Sequence, residues 1–189
     1  MSHYKKLGKQ ISIILIVLLV QYGHAYGKNA TITNKADSTY RSIIDTLATK
    51  AKEANALKKA KTSNDWILVT DTYRTLLYKA EKKVMLQYAD SLLWAAKQTQ
   101  NNDYIGNAYL TKGILLYNQK QLNKALDNYL LADQYLIKTT NQYAIHKVKY
   151  AIAHTKYYLG FYHEAIALFK DCLVYFEAEN DRAYITTLH

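Results

Sequence analysis

Apolar residues recur three or four positions apart along most of this chain, which is the spacing of amphipathic helices. The first such stripe predicts a helix over 37–61, preceded by a polar lead-in at 28–36 without helical period. From Trp66 onward helical runs alternate with polar breaks, and Asp103 and Asp181 are predicted to cap the helices that follow two of them. The breaks lie at 62–65, 100–103, 119–121, 139–142, 159–161 and 179–182. No segment alternates apolar and polar residues for long enough to predict a strand, so the pattern indicates an all-α fold of helical hairpins in series.

Composition agrees with an all-α fold. The 189 residues include no proline and only six glycines, fewer turn-forming residues than β or α/β folds usually need. Half of the residues are apolar, which is enough to bury a core in about one domain. The net charge of +10 comes from scattered basic residues, so it does not predict direct binding to nucleic acid.

One spacing of small and large residues occurs three times along these helices. In each set the second, third and fourth members follow at separations of 12, 4 and 3 residues. The sets are Leu77, Ala89, Leu93 and Ala96; Gly113, Ala125, Tyr129 and Ala132; and Ala153, Ala165, Phe169 and Cys172. A small residue lets the second helix of a pair approach the first, a large one fills the groove between helices, and the last small one lets the next pair stack. We therefore predict that these twelve residues hold the repeat units together.

This spacing resembles that of the tetratricopeptide repeat family over about residues 66–180. The best unit is AYLTKGILLYNQKQLNKALDNYLLA at 108–132, and YAIAHTKYYLGFYHEAIALFKDCL at 150–173 is close to it. The first unit departs from the family, with Leu77 in place of a small residue and Leu93 in place of an aromatic one. No unit has the closing proline, and the spacings of 36 and 40 residues exceed the usual period of about 34. The resemblance implies three antiparallel helical hairpins stacked as a right-handed α-α superhelix.

The resemblance also implies a concave groove that is lined by the first helix of each hairpin and binds a protein or peptide. Helical spacing places ten residues on those inner faces: Arg74, Tyr78, Asn107, Leu110, Ile114, Tyr117, Lys147, Tyr150, His154 and Tyr157. Their mixture of aromatic, basic and amide groups suits an extended peptide or an acidic tail. It does not match the Lys/Asn clamp that some family members use for C-terminal carboxylates. Most of the 19 tyrosines are instead predicted to pack along the helical stripes.

Candidate catalytic and metal-binding residues are few. His146 and His154 lie eight positions apart with no Cys, Asp or Glu at metal-ligand spacing, and HEAIA at 163–167 lacks the second histidine of a zinc-binding helix. Cys172 occupies a small-residue packing position, which favours a buried filler over a nucleophile. Phosphate-binding glycine loops and nucleophile-elbow motifs are absent from the sequence. The sequence therefore predicts neither an enzyme nor a metal site, and no cofactor.

The first 27 residues have the layout of a secretory signal peptide. Three lysines and no acid precede an apolar run from Ile11 to Val20, and Ala25 and Gly27 supply small residues two positions apart. The run has ten residues, against about 20 needed to span a bilayer, so an uncleaved N-terminal anchor is the alternative. Cys172 is the only cysteine, so an exported chain forms no internal disulfide.

Residues 181–189 begin like the first helix of a further, truncated repeat, which predicts that the chain is a fragment of a longer protein. With the signal-like N-terminus and YYLGFYHEAIALFKDCLVYFEAENDRAY, the repeats resemble the periplasmic region of Bacteroidetes-type membrane-anchored AraC- or LuxR-like regulators. That resemblance implies an exported sensory module in the periplasm, touching the membrane only through an N-terminal anchor or a missing C-terminal span. The alternative is a free-standing periplasmic adaptor or assembly chaperone without a signalling role.

Overall fold

The computed structural model describes residue 49 and residues 51–188. The predicted signal segment, the lead-in and most of the 37–61 helix lie outside the described residues. The chain divides into two compact units, Met1–Lys52 and Glu53–His189, and almost every described residue belongs to the second. None of the described helices is both long enough and apolar enough to cross a membrane.

The described part of the second unit is entirely helical apart from its turns. Residues 51–62 are helical, and the part from 53 onward is the first helix of this unit, α1. The others are α2 (Trp66–Lys79), α3 (Lys82–Gln98), α4 (Asn102–Asn118), α5 (Leu122–Leu136), α6 (Gln142–Tyr158), α7 (Tyr162–Ala178) and α8 (Arg182–Leu188). Each helix from α2 onward packs against the next, and α4 also touches α6. The predicted all-α fold of stacked helical hairpins is confirmed, with α2–α3, α4–α5 and α6–α7 as the hairpins.

Most turns contain one residue in the left-handed region. These residues are Asn64, Gln100, Lys120, Gly160 and Asn180, with φ of 53°, 54°, 63°, 88° and 54°. Only glycine adopts this conformation without steric cost, and asparagine tolerates it better than most residues. The turns between α2 and α3 and between α5 and α6 have none, and in the first of them Ala80 is extended, with φ −78° and ψ 148°. The turn at Ala80 contains no turn-favouring residue, and the sequence pattern did not predict it.

The two predicted caps have different outcomes. Asp103 is not the N-cap of α4, because the Asn101 side chain takes that role and accepts from the Asp103 backbone N–H at 2.9 Å. Asp103 lies in the first turn, where its charge complements the helix dipole. Asp181 does precede α8, and its Oδ1 accepts from the backbone N–H of Ala183 at 3.1 Å.

The repeated spacing marks the core of the hairpins. Eleven of the twelve predicted packing residues are buried, and Phe169 is partly buried. Gly113 faces the ring of Tyr129 so closely that a Cβ at position 113 would lie 2.5 Å from Cδ1 and Cε1 of that ring. A second close approach was missed by the sequence pattern: a Cβ at Gly106 would lie 2.5 Å from Cγ of the buried Leu136. An isolated glycine inside a helix is the signal that marks such a site.

Candidate functional site

Two adjoining cavities lie along the first helices of the hairpins and together form what we call the groove. The polar cavity, of about 330 Å³, is lined by Arg74, Tyr78, Asp103, Tyr104, Asn107, Leu110, Thr111, Ile114 and Lys147. The aromatic cavity, of about 190 Å³, is lined by Leu110, Ile114, Tyr117, Tyr129, Lys147, Tyr150, Ala151, His154 and Tyr184. Leu110, Ile114 and Lys147 belong to both, so the two cavities meet at these three side chains.

Nine of the ten residues predicted for the groove line one or both cavities. The exception is Tyr157, which is half exposed and whose ring lies edge-on to Tyr158 and Tyr162, with centroids 5.6 and 5.4 Å away. Tyr158, which the helical spacing did not select, lies instead beside the aromatic cavity, with its ring centroid 6.2 Å from that of Tyr117.

Hydrogen bonds hold the carboxylate of the polar cavity in place. Oδ1 of Asp103 accepts from Nδ2 of Asn107 at 3.2 Å and from Nδ2 of Asn141 at 2.9 Å. Asn141 is also the N-cap of α6, accepting from the Ala144 backbone N–H at 3.0 Å. Asp103 therefore links the start of α4 to the start of α6. The sequence pattern missed it as a lining residue, although it lies one helical turn before Asn107.

Arg74 forms the far side of the polar cavity. Its Nη1 donates to Oδ1 of Asp71, one turn earlier in α2, at 2.7 Å. Its guanidinium also lies 5.8 Å from the ring centroid of Tyr104. Within about 6 Å such a contact is attractive, so the side chain is positioned from two sides.

The aromatic cavity is built around a hydrogen bond between two successive hairpins. The hydroxyl of Tyr117 lies 3.0 Å from Nδ1 of His154. The His154 ring stacks against Tyr150 with centroids 5.8 Å apart, and Tyr150 meets Tyr184 edge-on at 5.0 Å. Burial lowers the pKa of His154 and raises the pKa of Tyr117, so both rings are neutral at pH 7. The cavity therefore offers uncharged aromatic surface with few free polar groups.

The other candidate residues are engaged in packing. His146 stacks on Tyr175 with centroids 3.8 Å apart, and its Nδ1 lies 2.9 Å from the Gln142 carbonyl oxygen. Cys172 is buried, and burial raises the pKa of its thiol to about 12, which keeps it protonated at neutral pH. Within residues 51–188, no three His, Cys, Asp or Glu side chains are placed so that they could hold a metal ion.

The sequence matches neither a protein-family model nor a curated protein. The resemblance to tetratricopeptide repeats therefore rests on the repeated spacing alone, and stays a prediction.

Proposed function

We propose that this chain is a tetratricopeptide-type module that binds a protein or peptide in the groove formed by α2, α4 and α6. The observation that carries the proposal is the meeting of the polar and aromatic cavities at Leu110, Ile114 and Lys147. A continuous strip with amide, basic, aliphatic and aromatic groups suits the backbone and alternating side chains of an extended peptide. Concave surfaces of this kind are the usual binding surfaces of stacked helical repeats.

The titratable groups of the groove favour binding over catalysis. Asp103 accepts from two amides, and His154 is joined to the Tyr117 hydroxyl. A general base needs a free lone pair within reach of the proton that it abstracts. One oxygen of Asp103 and one ring nitrogen of His154 are held by protein neighbours, so both side chains help to build the groove.

Blocking the junction of the two cavities tests the proposal. Ile114 is 39% exposed at that junction, whereas Ile166 is 50% exposed on α7 and lines neither cavity. A random peptide library displayed on phage is panned against the full chain, against Ile114→Trp and against Ile166→Trp. We expect enrichment on the full chain and on Ile166→Trp, and loss of it on Ile114→Trp with the helical circular dichroism unchanged. Equal enrichment on both variants would contradict this placement of the binding site.

We further propose that the module is exported to the periplasm and serves as the sensory part of a membrane-anchored transcriptional regulator. The support is the pattern of residues 1–27 and the likeness of the repeats to such regulators. Sequencing the gene downstream of the codon for His189 tests it. A continuing frame with an apolar span of about 20 residues is the expected result. A stop codon at that point would favour the free-standing adaptor or chaperone.

A further inference from the structure

One partly buried lysine among the described residues lacks a partner. The partly buried lysines are Lys61, Lys112, Lys147, Lys149 and Lys156. Their partners are the Tyr73 hydroxyl for Lys61, Asp90 for Lys112, Asp171 for Lys149 and Glu164 for Lys156. Within residues 51–188, Lys147 has no ion pair, hydrogen bond or ring contact. Because the side chain of Lys147 is partly shielded from water and has no partner, an external anion can pair with it without displacing a protein group.

Lys147 occupies the point where the polar and aromatic cavities meet. The other charged groups of the groove already have partners within the protein. Arg74 pairs with Asp71, and Asp103 accepts from the amides of Asn107 and Asn141. The positive charge that remains without a counterion is therefore next to the uncharged rings of the aromatic cavity.

We infer that the groove recognises an acidic peptide, with a side-chain carboxylate at Lys147 and a neighbouring aromatic side chain in the aromatic cavity. The inference deepens the proposed peptide-binding function and rests on it. A carboxylate completes the missing ion pair of Lys147, and charge-assisted hydrogen bonds are among the stronger polar contacts. An aromatic side chain gains edge-on or offset-stacked contacts with Tyr117, Tyr150 and His154.

A nucleic acid fits this groove less well. Each nucleotide of a single strand carries a phosphate, so such grooves track the backbone with a row of basic residues between stacking rings. Here one unpaired cation is followed by neutral rings, and Asp103 lies in the polar cavity. A single carboxylate beside an aromatic side chain matches this arrangement of charge.

The side chains of peptides selected from the displayed library test the inference. The full chain is compared with Lys147→Glu and with Lys170→Glu, a control that makes the same charge change at an exposed lysine of α7 outside both cavities. We expect Asp or Glu next to an aromatic residue among the peptides selected by the full chain and by Lys170→Glu. Lys147→Glu should lose the acidic preference while it still selects aromatic residues.

The best selected peptide is then synthesised with an amidated C-terminus, so that its only carboxylate is the side chain. Replacing its acidic residue by the matching amide should weaken binding to the full chain about tenfold or more, by fluorescence anisotropy. The same replacement should have no effect on Lys147→Ala, whose folding is checked by thermal unfolding.

Four outcomes would overturn the inference. Selected peptides without acidic residues, or an acidic preference kept by Lys147→Glu, would remove Lys147 as the anion site and leave the peptide-binding function standing. Displacement of the peptide by a single-stranded oligonucleotide would assign the groove to nucleic acid. If the full chain enriches peptides no more than Ile114→Trp does, both the proposed function and the inference are wrong.

Discussion

The second and third hairpins share one spacing of packing residues but differ in how tightly they close. In α4–α5 the buried ring of Tyr129 occupies the space that a Cβ of Gly113 would need. In α6–α7 the equivalent residues are Ala153 and Phe169, and Phe169 is only partly buried. Ala153 carries the Cβ for which the Tyr129 ring leaves no room at position 113, and the ring of Phe169 lies beside Tyr150, with centroids 5.8 Å apart. The two hairpins thus share a spacing of packing residues but bury their aromatic residue to different depths.

The same comparison applies to the groove. The equivalent positions, 40 residues apart, carry Asn107 and Lys147, Leu110 and Tyr150, and Ile114 and His154. At these three positions the second hairpin carries an amide and two aliphatic side chains, while the third carries a basic and two aromatic ones. Residues between the packing positions differ from one unit to the next, which gives each unit its own part of the binding surface.

The largest difference in stability between the two hairpins is expected when their equivalent aromatic residues are each replaced by alanine. Tyr129→Ala is expected to lower the free energy of unfolding by about 3–5 kcal/mol, because it leaves a cavity in the buried contact with Gly113. Phe169→Ala should cost about 1–2 kcal/mol, because its ring is only partly removed from water. Urea denaturation followed by circular dichroism measures both. Equal costs would show that the two hairpins pack alike.

Exchanging the small residues tests the same contact from the other side. Gly113→Ala is expected to destabilise the chain by about 1–3 kcal/mol, since the new Cβ collides with the Tyr129 ring. Helix propensity alone predicts the opposite, a gain of about 1 kcal/mol. The matched change Ala153→Gly should lower the free energy of unfolding by about 1 kcal/mol, because glycine has a lower helix propensity than alanine. A stabilised Gly113→Ala variant would contradict the close approach.

His154 should make stability depend on pH, whereas Ile114, its equivalent, cannot. Because the folded pKa of His154 is lowered by burial, the unfolded chain binds more protons as pH falls through about 6.5. The stability is therefore full above about pH 6.5 and falls as pH drops toward the lower folded pKa. Urea unfolding midpoints are measured at about pH 7.5 and 5.5. The midpoint should fall less between these pH values in His154→Gln than in the unchanged chain. An identical loss in both chains would exclude His154 as the cause.

The smallest effect on stability is expected when Cys172 is replaced by alanine, the residue at the matching position 132 of the second hairpin. Both are fully buried, and Cys172→Ala is expected to change stability by about 1 kcal/mol or less. The thiol, with its pKa raised to about 12, should resist a disulfide reagent in the folded chain and react fully in denaturant. Rapid labelling under native conditions would show that the third hairpin opens at this contact.

Local patterns predicted the helices, while contacts between distant residues decided the details. Apolar periodicity and polar breaks located most helices and turns, but Ala80 carries no turn signal, so the break between α2 and α3 was missed. Asn101 rather than Asp103 caps α4. Both residue types are favoured at N-caps and the two lie two positions apart, so residue type alone could not identify the cap. The Asp103 carboxylate is held in the groove by a hydrogen bond from Asn141, 38 positions away. No local sequence pattern predicts that contact.

Helical spacing selected most of the groove but could not tell which residues a neighbouring hairpin covers. Tyr117 is covered by His154 and Tyr158 of the next hairpin. Tyr157 occupies the same register one unit later and lines neither cavity. Helical spacing gives the face on which a residue lies. Whether another side chain packs over that residue depends on the hairpin stacked beside it.

Hydrogen–deuterium exchange with a selected peptide tests the central claim, that the groove between the first helices is the binding surface. We expect the added peptide to slow amide exchange in α4 and α6 around residues 107–117 and 147–154. Exchange in α7, which lines neither cavity, should stay unchanged. Protection confined to α5 and α7 would instead place the binding surface on the opposite face of the hairpins.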